Sequence, residues 1–172
     1  MSRNAKIVAI TAAVLVLTVA TLAWLNRNYA AERKAIQESY VFLITANGSQ
    51  YTVTMSDLEE IGLRVIDANY KTNLMPASQK KYTGVSLKRV LDHAGADYSQ
   101  ARSVSFSAAD GYFSAAVITD ALNEENCFIV VGEAGNPLGT RESGGLGPFM
   151  VIFAKDRFSQ RWCKHLLEII IS

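Results

Sequence analysis

The chain has 172 residues, 49% of them apolar, and a formal net charge of +1. From about Ile36 onward twelve basic residues stand against fifteen acidic ones, a net charge near −3 that argues against a nucleic-acid surface. Two cysteines, Cys127 and Cys163, are too few for a disulfide-built scaffold. Ile7 to Leu25 form the first element, nineteen residues without charge, Gly or Pro. As a helix they span roughly 28 Å, close to the ~30 Å hydrocarbon core of a bilayer. Residues 7–25 are therefore read as a transmembrane anchor, with Trp24 at the headgroup edge. Arg3 and Lys6 precede it; Arg27, Arg33 and Lys34 follow. The alternative is a cleaved secretory segment with Thr21-Leu22-Ala23 as the processing site. Residues 1–6 suit a cytoplasmic tail, so the C-terminal domain is expected outside the cytoplasm, or secreted if the segment is cleaved. Residues 26–39 read as a linker or a helical extension of the anchor.

The globular pattern occupies 40–172. Asn47-Gly48 between two β-rich runs predicts a hairpin, since both residues tolerate positive φ. Tyr51, Val53 and Met55 alternate with threonines, which predicts one buried face. Ser56 and Glu59 are placed for a capping box at the start of a short helix ending near Gly62. "LRVIDANY" reads as a strand. In "GVSLKRVLDHAG", Leu87, Val90, Leu91 and Ala94 form one apolar helical stripe, with Ser86 to cap its start and Gly95 to end it. "SVSFSA" and "YFSAAV" predict two strands around Asp110-Gly111. "CFIVV" predicts a strand buried on both faces, Gly135-Asn136-Pro137 a turn, "TRESGGLGP" a glycine-rich loop and "FMVIF" another buried strand. "SQRWCKHL" reads as a helical turn and "LEIIIS" as a terminal strand.

Five pieces in order resemble the molybdopterin-binding domain of the sulfite oxidase family. They are "YTGVSLKRVLDHAG", "SFSAADGYFSAAV", "FIVVGEAGNPL", "GGLGPFMVIF" and "RWCKHLLEIII". The resemblance covers about 40–172. It implies an α+β fold with a mixed, partly barrel-like sheet and short helices, here preceded by one transmembrane helix. It also implies a molybdenum–pterin cofactor, transferring oxygen atoms or electrons, with the metal on a cysteine shortly before the "TGV-L" helix. A thiolate is the soft anionic ligand such a metal needs. This chain departs there: "RVIDANYKTNLMPASQKKYTGV" holds Asp67, Asn69, Tyr70 and Lys71 but no cysteine. The "GG-P" segment, Gly145 to Met150, also lacks the basic residues that face the cofactor phosphate in catalytic members, with Arg141 the nearest substitute.

The remaining constellations read as structure. Cys127 and Cys163 read as buried thiols, with a mutual disulfide as the alternative. Two histidines make no zinc site; His93 and His165 read as solvated, as do Lys80-Lys81 and Lys88-Arg89. The loop bearing Arg141, Gly144 and Gly145 is the candidate anion nest, Tyr112 the candidate pocket rim, and Asn69 the candidate contact in the segment without cysteine. No catalytic residue and no metal ligand is assigned. The expected function is a cofactor-free, membrane-anchored module that binds a small anionic ligand or a neighbouring membrane protein. The alternatives are a molybdopterin oxidoreductase with atypical metal ligation and a structural subunit of a membrane complex.

Overall fold

The computed structural model describes residues 3–73 and 75–172. Leu74, in the segment without cysteine, lies outside them, as do the side chains of Arg3, Lys6 and Lys34. The chain divides into two units, residues 1–35 and 36–172.

The first unit is most of helix α1, Arg3–Glu38. Its stretch Ile10–Arg27 has a mean hydropathy of 1.6 and no buried residue, so it is long and apolar enough to cross a membrane. The region expected as linker or extension is helical through Glu38.

The second unit is α+β, built on two five-stranded sheets. Its chain order is β1 Val41–Ala46, β2 Ser49–Thr54, α2 Met55–Ile61, β3 Arg64–Tyr70, β4 Ser78–Ser86, α3 Leu87–Ala94, β5 Ser103–Ala108, β6 Phe113–Val117, α4 Ile118–Ala121, β7 Cys127–Glu133, β8 Asn136–Pro137, β9 Met150–Phe153, a 3-10 turn Ser159–Arg161 and β10 Leu166–Ile171. The first sheet runs β2-β1-β10-β5-β6, with β1 and β10 parallel and the other pairs antiparallel. The second runs β3-β4-β7-β8, and β9 also pairs with β7. The core lies between them. Phe42 meets Phe149 edge to face at 5.0 Å, and Phe106 meets Phe153 at 6.0 Å, the geometry favoured by the ring quadrupoles.

The β1–β2 hairpin turns at Asn47 and Gly48, both at positive φ, as their sequence requires. The α3 stripe buries Leu87, Val90 and Leu91, and Gly95 closes the helix in the left-handed region. Three local expectations shift. The capping box lies two residues earlier: Thr54 accepts from the Asp57 backbone, and the Asp57 carboxylate accepts from the Thr54 N–H. Strand β2 holds Thr54 in an extended conformation at the helix entry, so its hydroxyl and not that of Ser56 meets the free amides. Ser86 stands at the α3 N-cap but makes no cap bond, and its buried hydroxyl has no hydrogen-bond partner. The β7–β8 turn is made by Ala134 and Gly135, both at positive φ, so Asn136 and Pro137 already belong to the strand.

Candidate functional site

Two open hollows lie along the 3-10 turn. The larger, about 650 Å³, is lined by Tyr70, Lys71, Thr72, Asn73 and Met75 from the end of β3, and by Ser159 and Gln160. The smaller, about 260 Å³, shares Ser159 and Gln160 and adds Asp110, Tyr112, Trp162 and Lys164. The turn between them is tied down from several sides. Ser159 donates to the Lys71 carbonyl through both its N–H, at 3.0 Å, and its hydroxyl, at 2.8 Å. The Tyr112 hydroxyl donates to the Gln160 carbonyl, and Ser114 Oγ donates to the Arg161 carbonyl at 3.0 Å. Trp162 forms the wall behind, 5.6 Å from both Tyr70 and Tyr82, with its indole N–H on the Phe153 carbonyl. Burial, then the nearby Cys163 and Asp110, raises the Tyr112 pKa, so its hydroxyl is a neutral donor.

Arg161 anchors the turn and is not free for a ligand. Its guanidinium makes two hydrogen bonds to Asp156 and one of 2.6 Å to Asp120, and lies 4.0 Å over the Phe153 ring. Those carboxylates, Asp156 first, hold its pKa above the ordinary value. The cations that line the hollows are Lys71 and Lys164.

The five candidate residues separate. Tyr112 lines the smaller hollow and is 41% exposed. Asn69 does not line either hollow. Side chains alternate along β3, so Ile66, Ala68 and Tyr70 face inward while Asp67 and Asn69 face out. Arg141, Gly144 and Gly145 also line neither hollow. Five amides of their loop, those of residues 143–147, are spent internally. Ser143 N bonds Thr140 Oγ1, Gly144 N bonds Arg141 O, Gly145 N bonds Thr140 O, Leu146 N bonds Leu138 O and Gly147 N bonds Gly139 O. Gly145 serves close packing instead: a Cβ there would meet Leu138 O at 2.3 Å. Sequence reading missed Thr72, Ser159, Gln160 and Lys164. They come from two distant chain segments, around Thr72 and over 159–164, and share no motif.

One histidine expectation is corrected. His165 is buried, 9% exposed, with Nδ1 3.1 Å from the Gly147 carbonyl, because its backbone is drawn in by a bond to Leu146 O. His93 is exposed, as expected, 3.7 Å from Asp57. The basic pairs are matched: Lys80 with Glu133, Lys81 with Asp67 and Lys88 with Asp92, while Arg89 donates to the Ile61 carbonyl. Cys127 and Cys163 are free thiols, so the disulfide alternative falls. Cys127 pairs with Phe153 across one edge of β9, while Cys163 bridges Val151 across the other. Two strand spacings separate them by roughly 10 Å, beyond the ~4.4–6.8 Å that a disulfide spans.

A molybdenum ligated through protein sulfur does not fit these residues. Both thiols have no exposed surface. Burial pushes the Cys127 pKa well up, and burial, then Asp110, pushes Cys163 up to about 12. A thiol ligates as thiolate, the form these surroundings oppose. Among the residues lining the two hollows the one sulfur is the Met75 thioether, a neutral donor. Met150, in the "GG-P" segment, is fully buried in the core. Among the described residues no three His, Cys, Asp or Glu side chains are grouped for a metal.

The crystal structure of the sulfane dehydrogenase SoxCD from Paracoccus pantotrophus has a similar fold, with a TM-score of 0.64 at 14% identity. The match covers 79% of this chain and 38% of that one, so the chain spans well under half of that relative's length. A search of curated protein sequences finds no match. The family model for the oxidoreductase molybdopterin binding domain matches residues 37–172. With the two-sheet fold and the ordered motifs, this establishes that the chain belongs to the oxidoreductase molybdopterin-binding domain family.

Proposed function

We propose that the domain is a membrane-anchored, extracytoplasmic member of its family that works without a molybdenum cofactor and binds a small anionic ligand in the paired hollows along Ser159–Gln160. One observation carries the reading. The hollow at the end of β3, in the segment where the family resemblance places the metal-bearing cysteine, is walled by Tyr70, Lys71, Thr72 and Asn73, with no thiol. What remains is a binding surface: two ammonium groups, Lys71 and Lys164, the Ser159–Gln160 turn held rigid between them, and aromatic walls from Tyr70, Tyr112 and Trp162. Such a surface holds and orients an anion. Helix α1 supports the location: it is apolar enough to cross a bilayer, and Arg3 and Lys6 before it suit the cytoplasmic side.

The test uses the full chain in detergent with Trp24→Phe, which leaves Trp162 as the sole indole. Sulfite, sulfate and small carboxylates are titrated while Trp162 fluorescence is followed. A saturable change that weakens about tenfold in Lys71→Ala supports the reading, the loss expected for one charge-assisted contact. Flat titrations with every anion overturn it. The second reading, a molybdopterin enzyme with atypical ligation, rests on family membership and is separated by metal analysis.

A further inference from the structure

Strand β6 is an edge of the first sheet, and its other neighbour is missing. It pairs with β5 through Phe106↔Ser114 and Val104↔Ala116, and the Ala108 N–H bonds the Tyr112 carbonyl in the same phase. That phase turns the backbone N–H and C=O groups of Phe113, Ala115 and Val117 away from β5. The side chains of these three residues are also the exposed ones: Phe113 is 57% and Val117 62% exposed, with Ala115 between them. β6 carries no charge, no proline and no bulge, the devices that usually protect an edge.

The pattern is self-complementary. Turned about a two-fold axis at Ala115, a second β6 sets Phe113 against Val117, an aromatic–β-branched pair, and Val117 against Phe113. The smallest side chain then falls on the axis, where two identical side chains must meet. The charges at the strand's ends complement in the same way. Asp110 lies in the turn before Phe113, and Arg102, whose carbonyl accepts from Ile118 N–H, lies beside the Val117 end. Antiparallel pairing brings the Arg102 end of one copy to the Asp110 end of the other. We propose that β6 is a homodimerisation edge, at which two copies of this chain pair β6 to β6, antiparallel, about Ala115.

The test uses the full chain in detergent. Light scattering is expected to show a dimer, and Ala115→Lys, which places two ammonium groups on the axis, is expected to give a folded monomer with the circular dichroism spectrum of the parent chain. Because α1 could also associate, a second readout is tied to the strand. Across a hydrogen-bonded antiparallel pair Cα atoms lie about 5.5 Å apart, within disulfide range. Ala115→Cys is therefore expected to form a covalent dimer under mild oxidation. Val117→Cys is not, since its mate lies about four residues away along the strands, roughly 13 Å. A monomer for the unmodified chain, a dimer indifferent to Ala115→Lys, or equal cross-linking from both cysteine variants overturns the proposal.

Discussion

Gly84, the glycine of "YTGV", offers the sharpest test of the fold behind the site. It lies on β4 opposite Val130 of β7, at a register irregularity between Thr83 and Gly84. A Cβ there would sit 2.2 Å from the Ile129 carbonyl oxygen, 2.7 Å from Val130 Cα and 2.9 Å from Val130 Cγ1. Ordinary carbon contacts are about 3.5–4.0 Å. The first two obstacles are backbone, so relief requires β4 and β7 to part by more than an ångström. Overpacking of this kind costs about 1–3 kcal/mol, and each ladder hydrogen bond weakened adds about 1 kcal/mol. Gly84→Ala should therefore cost about 3–4 kcal/mol, a large part of the ~5–15 kcal/mol that holds a domain together. The matching fall in Tm is about 10 °C. Urea and thermal unfolding followed by circular dichroism measure it. Gly95→Ala is the control: φ there is +67° but no atom lies within 4 Å, so only local strain of about 1 kcal/mol is added. If Gly84→Ala is no worse than Gly95→Ala, the close approach of β4 and β7 is wrong.

Four further outcomes follow from the same geometry. Ser86→Ala should stabilise the domain by about 1 kcal/mol in urea unfolding, the reverse of a usual N-cap substitution, because the buried hydroxyl has no partner. Thr54→Ala should cost about 1 kcal/mol by removing the cap that Asp57 completes. The Thr54 hydrogen bonds, first among the causes, lower the Asp57 pKa from its ordinary 3.8. The stability that Asp57 contributes is thus complete above pH 3.8 and fades as pH falls through the lower folded value; the acid limb of the Tm–pH curve should flatten in Asp57→Asn. Cys127 and Cys163 should resist Ellman's reagent at pH 8 in the folded chain and both react in denaturant, since each is buried with its pKa raised.

The sequence carried the elements whose causes are local. Asn47-Gly48 needs only two residues at positive φ to make its hairpin, and the α3 stripe needs only its own period. The ordered motifs carried the family. Features set by distant neighbours were not legible. Thr54 took the cap from Ser56 because strand pairing decided where the helix could begin. His165 was buried by bonds to the 146–147 segment, its ring contact Gly147 lying eighteen residues upstream. The site itself was half visible. Tyr112 stood in a recognisable turn, but its partner Gln160 is 48 residues away, and Ser159 reaches back 88 residues to Lys71. The glycine loop misled because consecutive glycines look like free amides, and only the fold shows that those amides are already bonded.

Molybdenum content tests the central claim most directly. The full chain is purified from molybdate-fed cells able to make the cofactor, and metal per chain is measured by elemental mass spectrometry, with pterin fluorescence read after oxidation. The account predicts molybdenum far below one atom per chain and no pterin emission. Close to one atom per chain, with pterin, would contradict it.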